Sequence, residues 1–281
     1  MRLWLGAAQQ ATALRLHRPA GTMRAMELPI EWLPAQGRPE QLILLLHGWG
    51  SNGADLAPLA QALRLQFPQA AVLAPDGPHV YERDVAQTGA PSHKPPRRQW
   101  YSVNSITAAN WPGRVQACLP ALHSWVQAQQ QRLGVGPSAT CIGGFSQGAI
   151  LSLALALQHD GLAGRVLAFS GCFTAPPAAA PQHTTLHFFH GADDAVIPAD
   201  GSRQALAWLA ERGGDATIDI AQAVGHELHP ALVQCALQRL QSHIPARTWR
   251  AAHKAAAQLS AGSGALLKPG QPESLHRPQA G

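Results

Sequence analysis

Short runs of aliphatic residues alternate with helix-period stretches from about residue 28 to residue 244. The first clear run, 42–46, is apolar at every position. It lacks the in-and-out alternation of a half-exposed strand, so both faces of this strand are expected to be covered. Further strands are predicted at 70–74, 139–143, 166–170, 185–189 and 216–221. Between them lie helical patterns at about 55–65, 107–133, 147–159, 200–212 and 230–243. Ser51 or Asn52 can cap the first of these, Pro112 lies near the start of the second, and Gly134 stands at its end. Strand and helix taking turns in this way predict an α/β fold: a mostly parallel central sheet with helices on both faces.

The pattern lapses in three places. Residues 78–105 form a proline-rich connection with no sustained period, too long for a mere link in a compact domain. Its one aromatic cluster, Arg98-Gln99-Trp100-Tyr101, either lines a substrate pocket or plugs a gap. Residues 1–27 read as a ragged extension. Their apolar run is broken by Gln9, Gln10 and Thr12, a poor signal-peptide pattern, and a start at Met23 or Met26 would lose nothing the fold requires. Residues 245–281 are rich in Ala, Gly, Pro and Gln and are expected to lack fixed structure apart from a weak helix near 251–259. The chain thus divides into an extension, one catalytic-sized domain over 28–244 and a tail.

Composition narrows the function classes. With 46% apolar and 13% charged residues in 281, the chain is globular rather than disordered or coiled. Its formal charge of +5 suggests nucleic acid only until it is mapped. Arg247, Arg250, Lys254, Lys268 and Arg277 face the single acid Glu273 in the tail, which leaves the body nearly neutral. No nucleic-acid partner is expected, and no stretch is long and apolar enough to span a membrane. Cys118, Cys141, Cys172 and Cys235 show no disulfide or zinc spacing, so they are expected to be buried free thiols in a reducing cytoplasm.

Candidate chemistry sits where strands end. Gly144-Phe145-Ser146-Gln147-Gly148 matches G-x-S-x-G, a weak signal alone but a pointed one between a strand and a helix. A tight strand-to-helix turn lifts the serine hydroxyl above the sheet, and the flanking glycines make room for its strained backbone. A serine hydroxyl needs a base, and the base needs an orienting acid. Asp193 and Asp194 close one strand, and His226 follows the last strand, in the order Ser, Asp, His. The backbone N–H of Gln147 and a donor in His47-Gly48-Trp49-Gly50, with Trp49 favoured, are expected to bind an oxyanion. A metal reading fails on spacing. His226 and His229 are one residue short of a zinc-helix pair, and on an extended strand His183 and His187 share a face while His190 points the other way, with no carboxylate to complete a set.

The segments LLHGWGSN, APDGP, RQWYS, GFSQGA, HGADDAVIP and GHELHP together resemble the phospholipase/carboxylesterase family of the α/β-hydrolase superfamily, over about residues 29–243. The resemblance selects Asp194 over Asp193 and His226 over His229, and assigns the oxyanion donors to Trp49 and Gln147. It implies hydrolysis of a small-molecule ester or thioester, or of an acylated protein, through an acyl-serine, with no cofactor and no metal. Trp100 and Tyr101 are the candidate substrate contacts. The chain is expected to act as a monomer or homodimer without stable membrane insertion. Two alternatives stand beside this: a dienelactone-hydrolase-like or peptidase-like enzyme on the same fold, and a non-catalytic binding protein that keeps the fold.

Overall fold

The protein's structure, a computed structural model, describes residue 26 and residues 29–85 and 96–264. Six strands carry the chain through the sheet in parallel: β2 (Gln41–Leu46), β3 (Ala70–Ala74), β6 (Thr140–Phe145), β7 (Arg165–Phe169), β8 (Thr185–Gly191) and β9 (Ala216–Ala221). These are the six expected from sequence. A seventh, β1 (Ile30–Trp32), pairs antiparallel with β3 at the edge and escaped prediction, because three residues are too few to show a period. The sheet order is β1-β3-β2-β6-β7-β8-β9.

Helices cover both faces. On one, α3 (Trp111–Leu133), α4 (Gln147–Gln158) and α5 (Asp200–Glu211) pack over Leu42, Leu44, Leu46, Val166 and Phe188. On the other, α1 (Ala57–Gln66) and α6 (Pro230–Ser242) cover Ile43, Leu45, Leu167, Phe169 and Phe189. Alternate residues of β2 therefore feed opposite cores, which is why its sequence is apolar throughout. Truncating one of these buried leucines to alanine costs about 2–5 kcal/mol.

Local signals decide the helix ends. Asn52 accepts from the backbone N–H of Ala54 and Asp55, so it rather than Ser51 is the cap, and a 3-10 turn over Gly53–Leu56 leads into α1. Residues 107–110 form a turn instead of the first turn of α3, with the Asn110 side chain accepting from the Thr107 N–H. Gly134 closes α3 in the left-handed conformation.

The connection over 78–105 contains more structure than its sequence suggests. Strands β4 (His79–Val80) and β5 (Arg98–Gln99) pair antiparallel, with the short helix α2 (Glu82–Val85) between them; the intervening residues 86–95 lie outside the described ones. At the N-terminal end, Met26, within the stretch expected to be an extension, is buried, and its carbonyl accepts from Trp125 Nε1 at 2.8 Å. The rest of 1–27 lies outside the described residues.

At the other end, the expected weak helix near 251–259 is part of a longer one, α7 (Ala246–Gly264). Its start is tied to the body by Ala246 N–H on Asp215 and by Arg247 on Thr185, long-range bonds that composition cannot reveal; residues 265–281 lie outside the described ones. All four cysteines are free thiols, but only Cys141 is buried outright. No helix among the described residues is long and apolar enough to cross a membrane.

Candidate active site

Ser146, Asp194 and His226 meet above the carboxyl ends of β6, β8 and β9, the edge where loops of a parallel sheet converge. Ser146 occupies the turn from β6 into α4 with φ 52° and ψ −114°, a conformation that L side chains rarely adopt. The turn is tight on both sides. A Cβ on Gly144 would come 2.4 Å from the Gly148 backbone, and one on Gly148 would come 2.0 Å from the Leu46 carbonyl oxygen. The second clash couples the start of α4 to the end of β2, the strand that leads into Trp49.

His226 Nε2 lies 2.9 Å from Ser146 Oγ, and His226 Nδ1 lies 2.7 Å from Asp194 Oδ2. Phe145 flanks the imidazole, with ring centroids 4.9 Å apart. The two loops that present the acid and the histidine are bonded to each other: Asp193 N–H donates to the Val224 carbonyl and Ala192 N–H to the Ala221 carbonyl. Gly191 lets them approach, because a Cβ there would stand 2.2 Å from the Val224 oxygen.

Asp194 is buried while its neighbour Asp193 is exposed. The other Asp194 oxygen, Oδ1, accepts from the Val196 and Ile197 N–H groups at 2.9 and 2.8 Å. Burial alone would raise its pKa, but the bonds from His226, Ile197 and Val196 outweigh it and hold the carboxyl below its ordinary value. The result is an ionised acid fixed in one orientation. His229 has a separate job: it caps α6, accepting from Ala231 N–H.

The expected oxyanion loop runs beside the serine, since a Cβ on Gly48 would lie 3.5 Å from Ser146 Cβ. Gln147 opens α4, where the first-turn N–H groups have no acceptors within the helix. The Gln147 side chain does something the sequence did not reveal. Its oxygen accepts from Trp100 N–H at 2.8 Å and its amide donates to the Tyr101 carbonyl at 2.9 Å.

The Arg98–Tyr101 segment thus forms a strap behind the loop. Trp100 Nε1 donates to the His47 carbonyl, Gln99 Oε1 accepts from Trp49 Nε1, and Gly50 N–H donates to the Arg98 carbonyl. His47, fully buried, accepts from Gly77 N–H on Nε2, which joins the HG and DGP segments; burial holds this ring below the usual imidazole pKa.

Trp100 is 1% exposed and Tyr101 is also buried. Both border a cavity of about 570 Å³ with Met26, Pro78 and Arg114, which includes none of Ser146, Asp194 or His226. Of the strand histidines, His187 bonds Arg165 and Thr217, whereas His190, from a group expected to lack a carboxylate, comes within 3.3 Å of Asp194.

A parallel sheet wrapped by helices, with a serine on a strained strand-to-helix turn, defines the α/β-hydrolase class. The chain belongs to the Phospholipase/Carboxylesterase family, whose sequence profile matches residues 33–244. It is 37% identical over 206 residues to Esterase YpfH of Escherichia coli (strain K12), covering 73% of this chain and 84% of that one. It is 28% identical over 171 residues to an acyl-protein thioesterase 1 of Saccharomyces cerevisiae, covering 56% and 72%. Among solved structures, esterase PE8 superposes with a TM-score of 0.67 at 28% identity over 77% of this chain and 98% of that chain. The Bacillus cereus carboxylesterase, at 17% identity and a TM-score of 0.60, shares the fold over 76% of this chain and 93% of its own. The protein is therefore a hydrolase of the esterase and thioesterase kind.

Proposed function

We propose that the protein cleaves carboxylic esters or thioesters of small molecules through an acyl-serine intermediate. Ser146 Oγ attacks the carbonyl carbon while its proton passes to His226 Nε2. Asp194 keeps the imidazole proton on Nδ1 and balances the imidazolium that forms. The oxyanion is held by the backbone N–H groups of Trp49 and Gln147. Collapse expels the alcohol or thiol, which leaves with the proton from His226. Water then attacks the acyl group with the same base, releasing the acid and restoring Ser146.

The observation that carries this reading is the unbroken chain Ser146–His226–Asp194, with bonds of 2.9 and 2.7 Å, on a serine whose backbone is strained. Strain of this kind costs about 1–3 kcal/mol and persists only where the surroundings enforce it. Trp100 and Tyr101 serve the site from behind by holding the strap.

The test is hydrolysis of a p-nitrophenyl ester beside an acyl-thioester. Ser146→Ala should lose several orders of magnitude in kcat while melting as the parent does. A fluorophosphonate should label the parent and not the variant. Undiminished turnover in Ser146→Ala would overturn the assignment.

A further inference from the structure

His190 is a buried titratable side chain that the steps above leave unused. It stands at the end of β8, four residues before Asp194, with its side chain wholly inaccessible. Nε2 lies 2.7 Å from the Ile197 carbonyl oxygen and 3.3 Å from Asp194 Oδ2. Both neighbours are acceptors, so Nε2 carries the proton. Nδ1 lies 2.8 Å from Ser202 Oγ, itself buried. Burial keeps the ring below its ordinary pKa and hence neutral, and on a neutral ring protonated on Nε2 the Nδ1 lone pair competes for the one Ser202 hydroxyl proton with the Gly171 carbonyl, which lies 3.1 Å from the same oxygen.

Asp194 Oδ2 therefore has two imidazole nitrogens beside it: His226 Nδ1, hydrogen-bonded at 2.7 Å, and His190 Nε2, bonded to the Ile197 carbonyl and in longer contact with the carboxylate at 3.3 Å. We propose that His190 is a positioning residue for the acid: its Nε2–H, shared between the Ile197 carbonyl and Asp194 Oδ2, fixes the carboxylate and draws off part of its charge. The inference rests on Asp194 being the acid of the reaction.

Two consequences follow from the geometry. The Val196–Ile197 turn donates two N–H groups to Oδ1 while its own carbonyl is held by His190, so the ring locks the carboxylate from both sides. A carboxylate whose charge is partly satisfied by a neutral donor also holds the His226 imidazolium less tightly. Removing that donor strengthens the hold, so the acid limb of the kcat/KM profile moves to higher pH. The titratable groups facing Asp194 are His226 from the loop after β9, His190 from β8 and Cys172 from the loop after β7. The Cys172 thiol is pushed up to about 11 by burial and by Asp194, which keeps it out of the range of that limb.

Two isosteric amides separate positioning from packing. His190→Gln puts an amide N–H where Nε2 stands; His190→Asn reaches only the Ser202 side. Gln should keep kcat within a few-fold of the parent with the acid limb unmoved. Asn should lose roughly 10-fold to 100-fold in kcat, with KM little changed and the limb displaced upward by a fraction of a pH unit. Asp194→Asn is measured in parallel. If it stays active, the assignment of the acid fails. If it is inactive while Gln and Asn match each other in kcat and in pH profile, Asp194 stands and the role given to His190 is wrong. Should Asn prove unfolded by circular dichroism, Gln alone decides: a shifted limb or a large kcat loss in a folded Gln variant overturns the proposal.

Discussion

Histidine–aspartate contacts stand at opposite ends of the same strands, and what surrounds them differs. Above the carboxyl ends, His226 Nδ1 meets Asp194 at 2.7 Å and its far nitrogen meets a serine hydroxyl on a strained turn. Below the amino ends, His243 Nε2 meets Asp215 at 3.0 Å. That carboxylate also accepts from Thr185 Oγ1 and Ala246 N–H, while Arg165 links the His243 carbonyl to His187. The lower cluster joins β7, β8 and β9 to the segment between α6 and α7. The same pair of side chains serves as the proposed base and acid in one place, where the second imidazole nitrogen faces a serine hydroxyl, and as a staple in the other.

The sharpest way to break this contrast is to neutralise each acid in turn. Asp194→Asn should lower kcat about 10⁴-fold through the wrong imidazole tautomer, with the fold retained. Asp215→Asn should leave kcat unchanged and lower stability by about 1–3 kcal/mol, because buried donors lose a charged acceptor. Calorimetry beside esterase kinetics reads both. Equal kinetic losses would abolish the distinction.

A smaller effect tests the strap. Gln147→Ala keeps the backbone N–H at that position but frees Trp100 and Tyr101, and kcat should fall about 10-fold with binding little altered. An unchanged kcat would detach the Arg98–Tyr101 segment from the reaction.

The test with the smallest effect on turnover separates the two ends by pH. Burial, with Arg165 nearby, pushes the His187 imidazole down to about 3. The unfolded chain takes up that proton below about 6.5, and the folded protein does so only near 3. The stability from keeping His187 neutral is therefore complete above about 6.5 and is lost as pH falls through the interval, by up to ~1.4 kcal/mol per pH unit. Asp194 and Asp215 act lower down. Their carboxyls, pushed up by burial but pulled down further by hydrogen bonds, are held below the ordinary range, so their contribution is present above about 4 and lost as pH falls below it. His187→Gln keeps an acceptor for Arg165 and should flatten melting temperature against pH between 6.5 and 4, with turnover unchanged.

Much of this was legible in the chain. Six strands and five helices follow from runs of β-branched and aliphatic residues alternating with helical periods, since a sheet covered on both faces needs continuous apolar strands. The glycines around Ser146 announced the turn. β1, β4, β5 and α2 were not legible, because two to four residues carry no periodicity, and α7 is held by contacts with Asp215 and Thr185 that lie far away in sequence.

For the site, the sequence supplied the candidate residues and the resemblance chose between neighbours. Adjacent aspartates and closely spaced histidines look alike in one dimension, and only the fold buries Asp194 and exposes Asp193, turns His226 to Ser146 and sets His229 at the head of α6. His190 and the Gln147 side chain were invisible for the same reason. Residue type and local period are properties of the chain. Which hydrogen-bond donor meets which acceptor depends on loops from distant strands closing on one another, and that was decided by packing in three dimensions.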